Sequence, residues 1–128
     1  MAVYLKRATN EDIPALIEIE QSAAGTKTYV PMLTEDEWLV ALDLGIVYLI
    51  DNEGVVVGNI SYEKKGEHHV HISGLVILPQ FQNQGIAHEA LTEVLVELEG
   101  FTRIDLVTHP DNERALKLYQ SFGFTEES

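Results

Sequence analysis

Between Ile46 and Leu78 the chain carries strand-like segments separated only by turns, and this limits the fold more than any other feature. Ile46 to Ile50 is a continuous apolar run, Asp51-Asn52-Glu53-Gly54 is turn chemistry, and Val55 to Tyr62 is the returning strand. Lys64-Lys65-Gly66-Glu67 makes another turn, and His69 to Leu78 is a further strand stopped by Pro79. Strands joined this tightly pair antiparallel, because a parallel return needs a long crossover. An antiparallel meander is therefore expected in the middle of the chain.

Helices and strands flank the meander. Val3 to Arg7 reads as a first strand, and Thr9-Asn10-Glu11-Asp12 as a capping box opening a helix through Ile13, Leu16 and Ile17. Pro14 fits only in a first turn, so that helix starts at Asn10 or later. Gly25 to Pro31 reads as a loop. Thr34-Glu35-Asp36-Glu37 caps a short helix through Trp38, Leu39 and Leu42 that ends at Gly45. Beyond the meander, Gln84 to Glu99 puts Ile86, Ala90, Leu91, Val94, Leu95 and Leu98 on one stripe. Ile104 to Thr108 is a buried strand, and Asn112 to Phe122 is a helix ended by Gly123. Phe124-Thr125 opens a last strand that is short or missing. The expected order is β-α-α-β-β-β-α-β-α-β, an α/β (α+β) fold, and 128 residues suit one domain spanning 1–128.

Charge narrows the partners. Eight Lys and Arg against 21 Asp and Glu give −13, which argues against nucleic acid and against anionic membranes. The same balance favours cationic partners such as amines or basic peptides. The absence of cysteine excludes disulfides, thiol catalysis and thiolate zinc sites. The longest apolar run, Leu39 to Ile50, is broken by Asp43 and Gly45 and is too short to span a bilayer. The opening Met1 to Arg7 lacks the apolar stretch of a signal peptide, so a cytoplasmic protein is expected.

The chemistry concentrates in Leu75-Val76-Ile77-Leu78-Pro79-Gln80-Phe81-Gln82-Asn83-Gln84-Gly85-Ile86-Ala87, a strand, a turn and a helix start. Small residues there admit a ligand close to the backbone, and the free N–H groups of a helix start attract an anion. It is neither a Walker loop nor a dinucleotide fingerprint, which need other glycine and lysine spacings.

Gln82-Asn83-Gln84-Gly85-Ile86-Ala87 resembles the Q/R-x-x-G-x-G/A motif of the GCN5-related N-acetyltransferase (GNAT) superfamily. Asn112 at a helix start, Tyr119 seven residues on and the closing Gly123-Phe124 resemble its C-terminal motif, which here begins at His109-Pro110. The likeness runs from Val3 to Phe124, the residues before Ile46 matching only in element order. It implies a mixed sheet whose central strands splay apart to admit acetyl-CoA, with helices on both faces. It also implies an acetyl-CoA-dependent N-acetyltransferase acting on a small-molecule or peptide amine through a ternary complex. A non-catalytic acyl-CoA sensor of the same fold is the alternative, and a cofactor-free assembly module a third.

By the same resemblance, Leu75, Val76 and Ile77 lend backbone groups to pantetheine. Gln82, Asn83, Gln84, Gly85, Ile86, Ala87 and His88 wrap the pyrophosphate, and Asn112 hydrogen-bonds the cofactor arm. Tyr119 sits near the sulfur and protonates the leaving thiolate, while a backbone N–H of Val76 or Ile77 holds the oxyanion. The loop departs from the family in lacking Arg or Lys, since none occurs between Lys65 and Arg103. Phosphate binding would then rest on neutral N–H groups. The sequence ends at Ser128, near where a last strand of the family is still to come, which implies either a truncated sequence or a sheet completed by a neighbouring chain, as in a homodimer.

Several residues carry plainer readings beside these. Tyr119 lies on an apolar stripe and suits a core. His69, His71 and Ser73 alternate on one strand face, which by strict alternation includes Leu75 and Ile77. His71 lies six residues before Ile77, where some histone-type members place a catalytic Glu, and it is the candidate base; a surface or core histidine is the plain alternative. No metal is expected, because His68, His88 and His109 are scattered. Trp38 and Tyr29 fall in the region that often lines the acceptor side in the family, with core packing the simpler role for Trp38. Glu35-Asp36-Glu37 complements a helix dipole, or attracts an amine.

Overall fold

The turns and capping signals become a five-stranded open sheet in the order β1-β2-β3-β4-β5. The computed structural model describes residues 3–25, 30–108 and 110–125. Its strands are β1 (Val3–Arg7), β2 (Gly45–Asn52), β3 (Val55–Lys64), β4 (His69–Ile77) and β5 (Arg103–Leu106). The helices are α1 (Ile13–Gln21), α2 (Glu35–Leu44), α3 (Ile86–Glu97) and α4 (Glu113–Ser121). The first four strands pair antiparallel in sequence order, and β5 joins β4 in parallel after the α3 crossover.

The local chemistry explains the ends of these elements. The Thr9 backbone N–H donates to the Asp12 side chain at 2.9 Å, and Pro14 sits in the first turn of α1. Thr34 Oγ accepts from the Glu37 N–H, completing the second box. Gly45 both caps α2 and begins β2, so no loop separates them. The third helix starts two residues later than its apolar stripe suggests, because Gly85 takes a left-handed conformation (φ 80°) as its cap. Phe124 and Thr125 lie in no strand, and residues 126–128, where the expected last strand would continue, lie outside the described residues.

Two cores sandwich the sheet. One holds Ile50, Ile60, Val70, Ile72 and Ile77 against Ile86, Leu91 and Val94 of α3, with Leu118, Tyr119 and Phe122 of α4 packed on it. The other holds Val47, Leu49 and Val76 against Leu16 and Ile19 of α1 and Trp38 of α2. Trp38 is buried, as its plainer reading expects, and its indole N–H donates to the Met32 carbonyl at 2.9 Å. The Met32 N–H is held by Glu20, a buried carboxylate that also faces Asn59 of β3. Met32 is thereby tied down at both its backbone groups before α2 begins.

Two register shifts bend the meander. On β3 the pairing passes from Gly58 to Val56 and skips Val57, and on β4 it passes from Gly74 to Ile72 and skips Ser73. Each extra residue reverses which side the following residues face. No helix among the described residues is long and apolar enough to cross a membrane.

Candidate active site

The site is built on a fork. Among the described residues β5 pairs with β4 only from His69 to Ile72, and β4 continues through Ser73–Ile77 with no ladder partner on that side. Leu78 N–H bonds back to Val57 of β3, and the Val76 carbonyl lies against Gly58 of β3. Backbone groups alternate sides along a strand, so Leu75 and Ile77 present theirs to the gap. The Ile77 carbonyl accepts there from the Gln82 amide at 3.0 Å. Val76 is therefore a correction: its backbone serves the β3 ladder and its side chain the α1/α2 core, so of the expected trio only Leu75 and Ile77 face the gap.

The turn from β4 to α3 closes one end of the gap. Asn83 and Gly85 both take positive φ, 65° and 80°, which turns the chain sharply into α3. Among the described residues no side chain caps the first N–H groups of α3, so those of the Ile86, Ala87 and His88 turn keep their donor capacity and the dipole's positive end. The Ile86 side chain is buried, Ala87 packs on the same core, and the His88 ring lies 4.6 Å from that of Phe122, so these residues offer backbone. Gln84 reaches back to the Gln80 carbonyl.

A cation reaches this turn from a distant part of the chain. Arg114 of α4 donates to Gln82 Oε1 at 2.6 Å across 32 residues. The local sequence hides this residue, and its signal is only its place two residues after Asn112. Asn112 caps α4 with Oδ1, which accepts from the Ala115 N–H at 3.2 Å, leaving its amide NH2 as the donor. The Tyr119 hydroxyl is pushed above the ordinary phenol range by burial, and its ring meets Phe124 edge-on at 6.0 Å. His109 and Tyr29 lie outside the described residues.

At the base of the fork His71 Nδ1 and His69 Nε2 each lie 2.7 Å from Asp105 of β5, on its two oxygens. Asp105 is held down to about 2, first by the hydrogen bond from His71 and also by that from His69, with burial opposing. The expected sharing of a face by His71, Leu75 and Ile77 is corrected. Ser73 is the bulged residue and bonds Ser61 Oγ, so alternation restarts there. Leu75 and Ile77 join the α3 core together with Val70 and Ile72, whereas His69 and His71 point to the α1/α2 side. Tyr119 and His71 thus lie on opposite faces of the sheet. Among the described residues no three His, Asp or Glu side chains gather as a metal site.

A family model described as the Acetyltransferase (GNAT) family matches residues 13–124. The chain belongs to that family. Solved structures share the fold. The ribosomal-protein-S18-alanine N-acetyltransferase from Escherichia coli superposes with a TM-score of 0.86 at 22% identity, covering 99% of this chain and 80% of that one. The PaiA N-acetyltransferase from Thermoplasma acidophilum, solved in complex with coenzyme A, gives 0.82 at 17% identity, covering 99% and 92%. Among curated proteins, UPF0157 protein YqkA of Bacillus subtilis is 37% identical over 71 residues, 56% of this chain. The chain spans about a fifth of the length of that relative (20%).

Three features mark the GNAT fork in this chain. The gap-side backbone of Leu75 and Ile77 forms a strand edge with no ladder partner among the described residues. The Gly85 turn leads into a helix start whose N–H groups and dipole favour an anion. Tyr119, its hydroxyl raised by burial, packs on the same side of the sheet as α3.

Proposed function

We propose that this GNAT protein transfers the acetyl group of acetyl-CoA to a primary amine within a ternary complex. The observation that carries the reading is the fork itself, an open β4 edge beside an uncapped helix start, with Tyr119 packed on the same side of the sheet as α3. Leu75 and Ile77 hold the pantetheine arm, the Ile77 N–H faces the developing oxyanion, and the Asn83–His88 turn with Arg114 takes the phosphates. Tyr119 gives its proton to the departing thiolate. His71 accepts the proton of the amine from the other face, so the acid and the base never compete for one position.

The acceptor is a cationic amine, drawn by a surface of net charge −13. The test is thiol release from acetyl-CoA with spermidine, lysine amide, a basic N-terminal peptide and glutamate. Turnover is expected with the cationic acceptors, weakened by salt, and a preference for glutamate would contradict the acceptor class. Calorimetric binding of CoA without turnover of any amine would instead establish the sensor reading. Loss of CoA binding in Gly85→Glu, which adds bulk, like charge and strain at φ 80°, is the accompanying check on the loop.

A further inference from the structure

We propose that Asp105 is the positioning residue for His71, fixing its ring with Nε2 as the basic nitrogen, and that His69 competes for the same carboxylate. The role of His71 as base rests on the proposed acetyl transfer; the arrangement that orients it does not.

The argument begins with register. His71 and Asp105 are direct partners across the parallel pair, at the last turn of the ladder before β4 and β5 part. His71 Nδ1 lies 2.7 Å from Asp105 Oδ1. A carboxylate only accepts, so Nδ1 must carry the hydrogen, and a neutral imidazole then has its lone pair on Nε2. Among the described residues nothing bonds that Nε2. The second oxygen of Asp105 is shared by His69 Nε2 at 2.7 Å and Arg103 Nε at 3.3 Å. Any positive charge on His69 spends part of the field that would stabilise a His71 imidazolium. Arg103 acts in the same sense at every pH. Glu63 on β3, opposite His71 in register, acts in the reverse sense, but Lys65 pairs with it at 2.8 Å.

The proton balance gives this device a purpose. An ammonium acceptor loses one proton to Nε2, its nitrogen bonds the acetyl carbon, the carbon–sulfur bond breaks, the thiolate takes the hydrogen of Tyr119, and the second proton that the nitrogen sheds as the amide forms passes through water to the tyrosinate. Each turnover releases one proton, and His71 is the group that hands it to solvent.

The test is 15N NMR of the imidazoles in the full chain, with pH–rate profiles on spermidine. The expected wild-type His71 carries its hydrogen on Nδ1. Asp105→Asn moves it toward Nε2 and cuts kcat about tenfold or more with KM for acetyl-CoA unchanged. Asp105→Glu recovers part of the rate, and His69→Gln, which removes one claimant on Asp105, alters the pH–rate profile. Asp105→Glu and His69→Gln keep the question decidable if Asp105→Asn misfolds. A wild-type His71 protonated on Nε2, or unaltered tautomer and profile in these variants, overturns the proposal. Absence of turnover in the wild type refutes the proposed function, and the NMR then still decides for or against the positioning by Asp105.

Discussion

Arg114 and Gln82, 32 residues apart, are joined by a 2.6 Å hydrogen bond, and the Gln82 amide passes the connection on to the Ile77 carbonyl. α4 is thereby tied to the gap edge of β4. Arg114→Ala should weaken CoA binding roughly fivefold, the worth of about 1 kcal/mol for one exposed charged hydrogen bond. It should also flatten the salt dependence, because Arg114 is a cation that the turn's own sequence lacks. Titration calorimetry at two ionic strengths decides this, and an unchanged affinity and slope would refute it.

Tyr119→Phe removes only the hydroxyl. The rate of acetyl transfer should fall by roughly 10²–10⁴-fold with cofactor affinity nearly unchanged. Burial raises this phenol above its ordinary value, so the wild-type rate should show no loss from tyrosine ionisation up to about pH 10. A rate within twofold of wild type would make Tyr119 a packing residue.

Gly58 allows β3 to approach β4 at the open end of the gap, opposite Ile77. A Cβ there would lie 2.1 Å from the Val76 carbonyl oxygen and 3.1 Å from the Ile77 Cα. Gly58→Ala should therefore displace the edge that carries Leu75 and Ile77. We expect loss of stability of about 1–3 kcal/mol and a larger loss of CoA affinity than a stability change alone explains. Denaturant unfolding with parallel CoA titration measures both, and an unaltered affinity would show that β4 holds its place.

Glu97, in the last turn of α3, accepts hydrogen bonds from the hydroxyls of both Tyr48 and Tyr62. An acidic residue there opposes the helix dipole, and the two phenols compensate. Burial first, then the Glu97 bond, lifts Tyr48 to about 12 and raises Tyr62 further. A raised folded value means the folded state keeps protons that the unfolded state has lost. The clamp thus contributes fully below pH 10 and is lost as pH rises toward 12. Glu97→Gln should lower stability at pH 8 by about 1–2 kcal/mol and make the alkaline decline less steep. Thermal melts from pH 8 to 12 test it, and a parallel decline in both proteins would contradict it.

The elements of the fold were legible because periodicity survives in a single sequence. The meander, the α3 stripe and the Thr34 box each state their structure locally. The fork was legible only through family resemblance, since nothing in Arg103 to Leu106 says where β5 stops pairing. The face of His71 was misread because a Ser73 bulge leaves no mark in an alternation of polar and small residues. Asp105 was a charge inside an apolar strand, a visible anomaly whose partners lie 34 and 36 residues away. Glu20 was equally hidden, because helical spacing alone places it near the core but cannot name Met32 and Asn59 as its partners.

The direct passage from α2 into β2 at Gly45 has a mechanical consequence. A Cβ at Gly45 would lie 2.3 Å from the Tyr62 carbonyl, so the junction is crowded as well as short. The helix has no slack at that end and cannot pivot without dragging the sheet. At the other end of the same layer Glu20 and Trp38 clamp the Met32 backbone, so α2 is held on both sides. A displacement of α2 is therefore passed straight into β2 and the strands beside it instead of being absorbed at the junction, which makes the helix and the sheet one mechanical body.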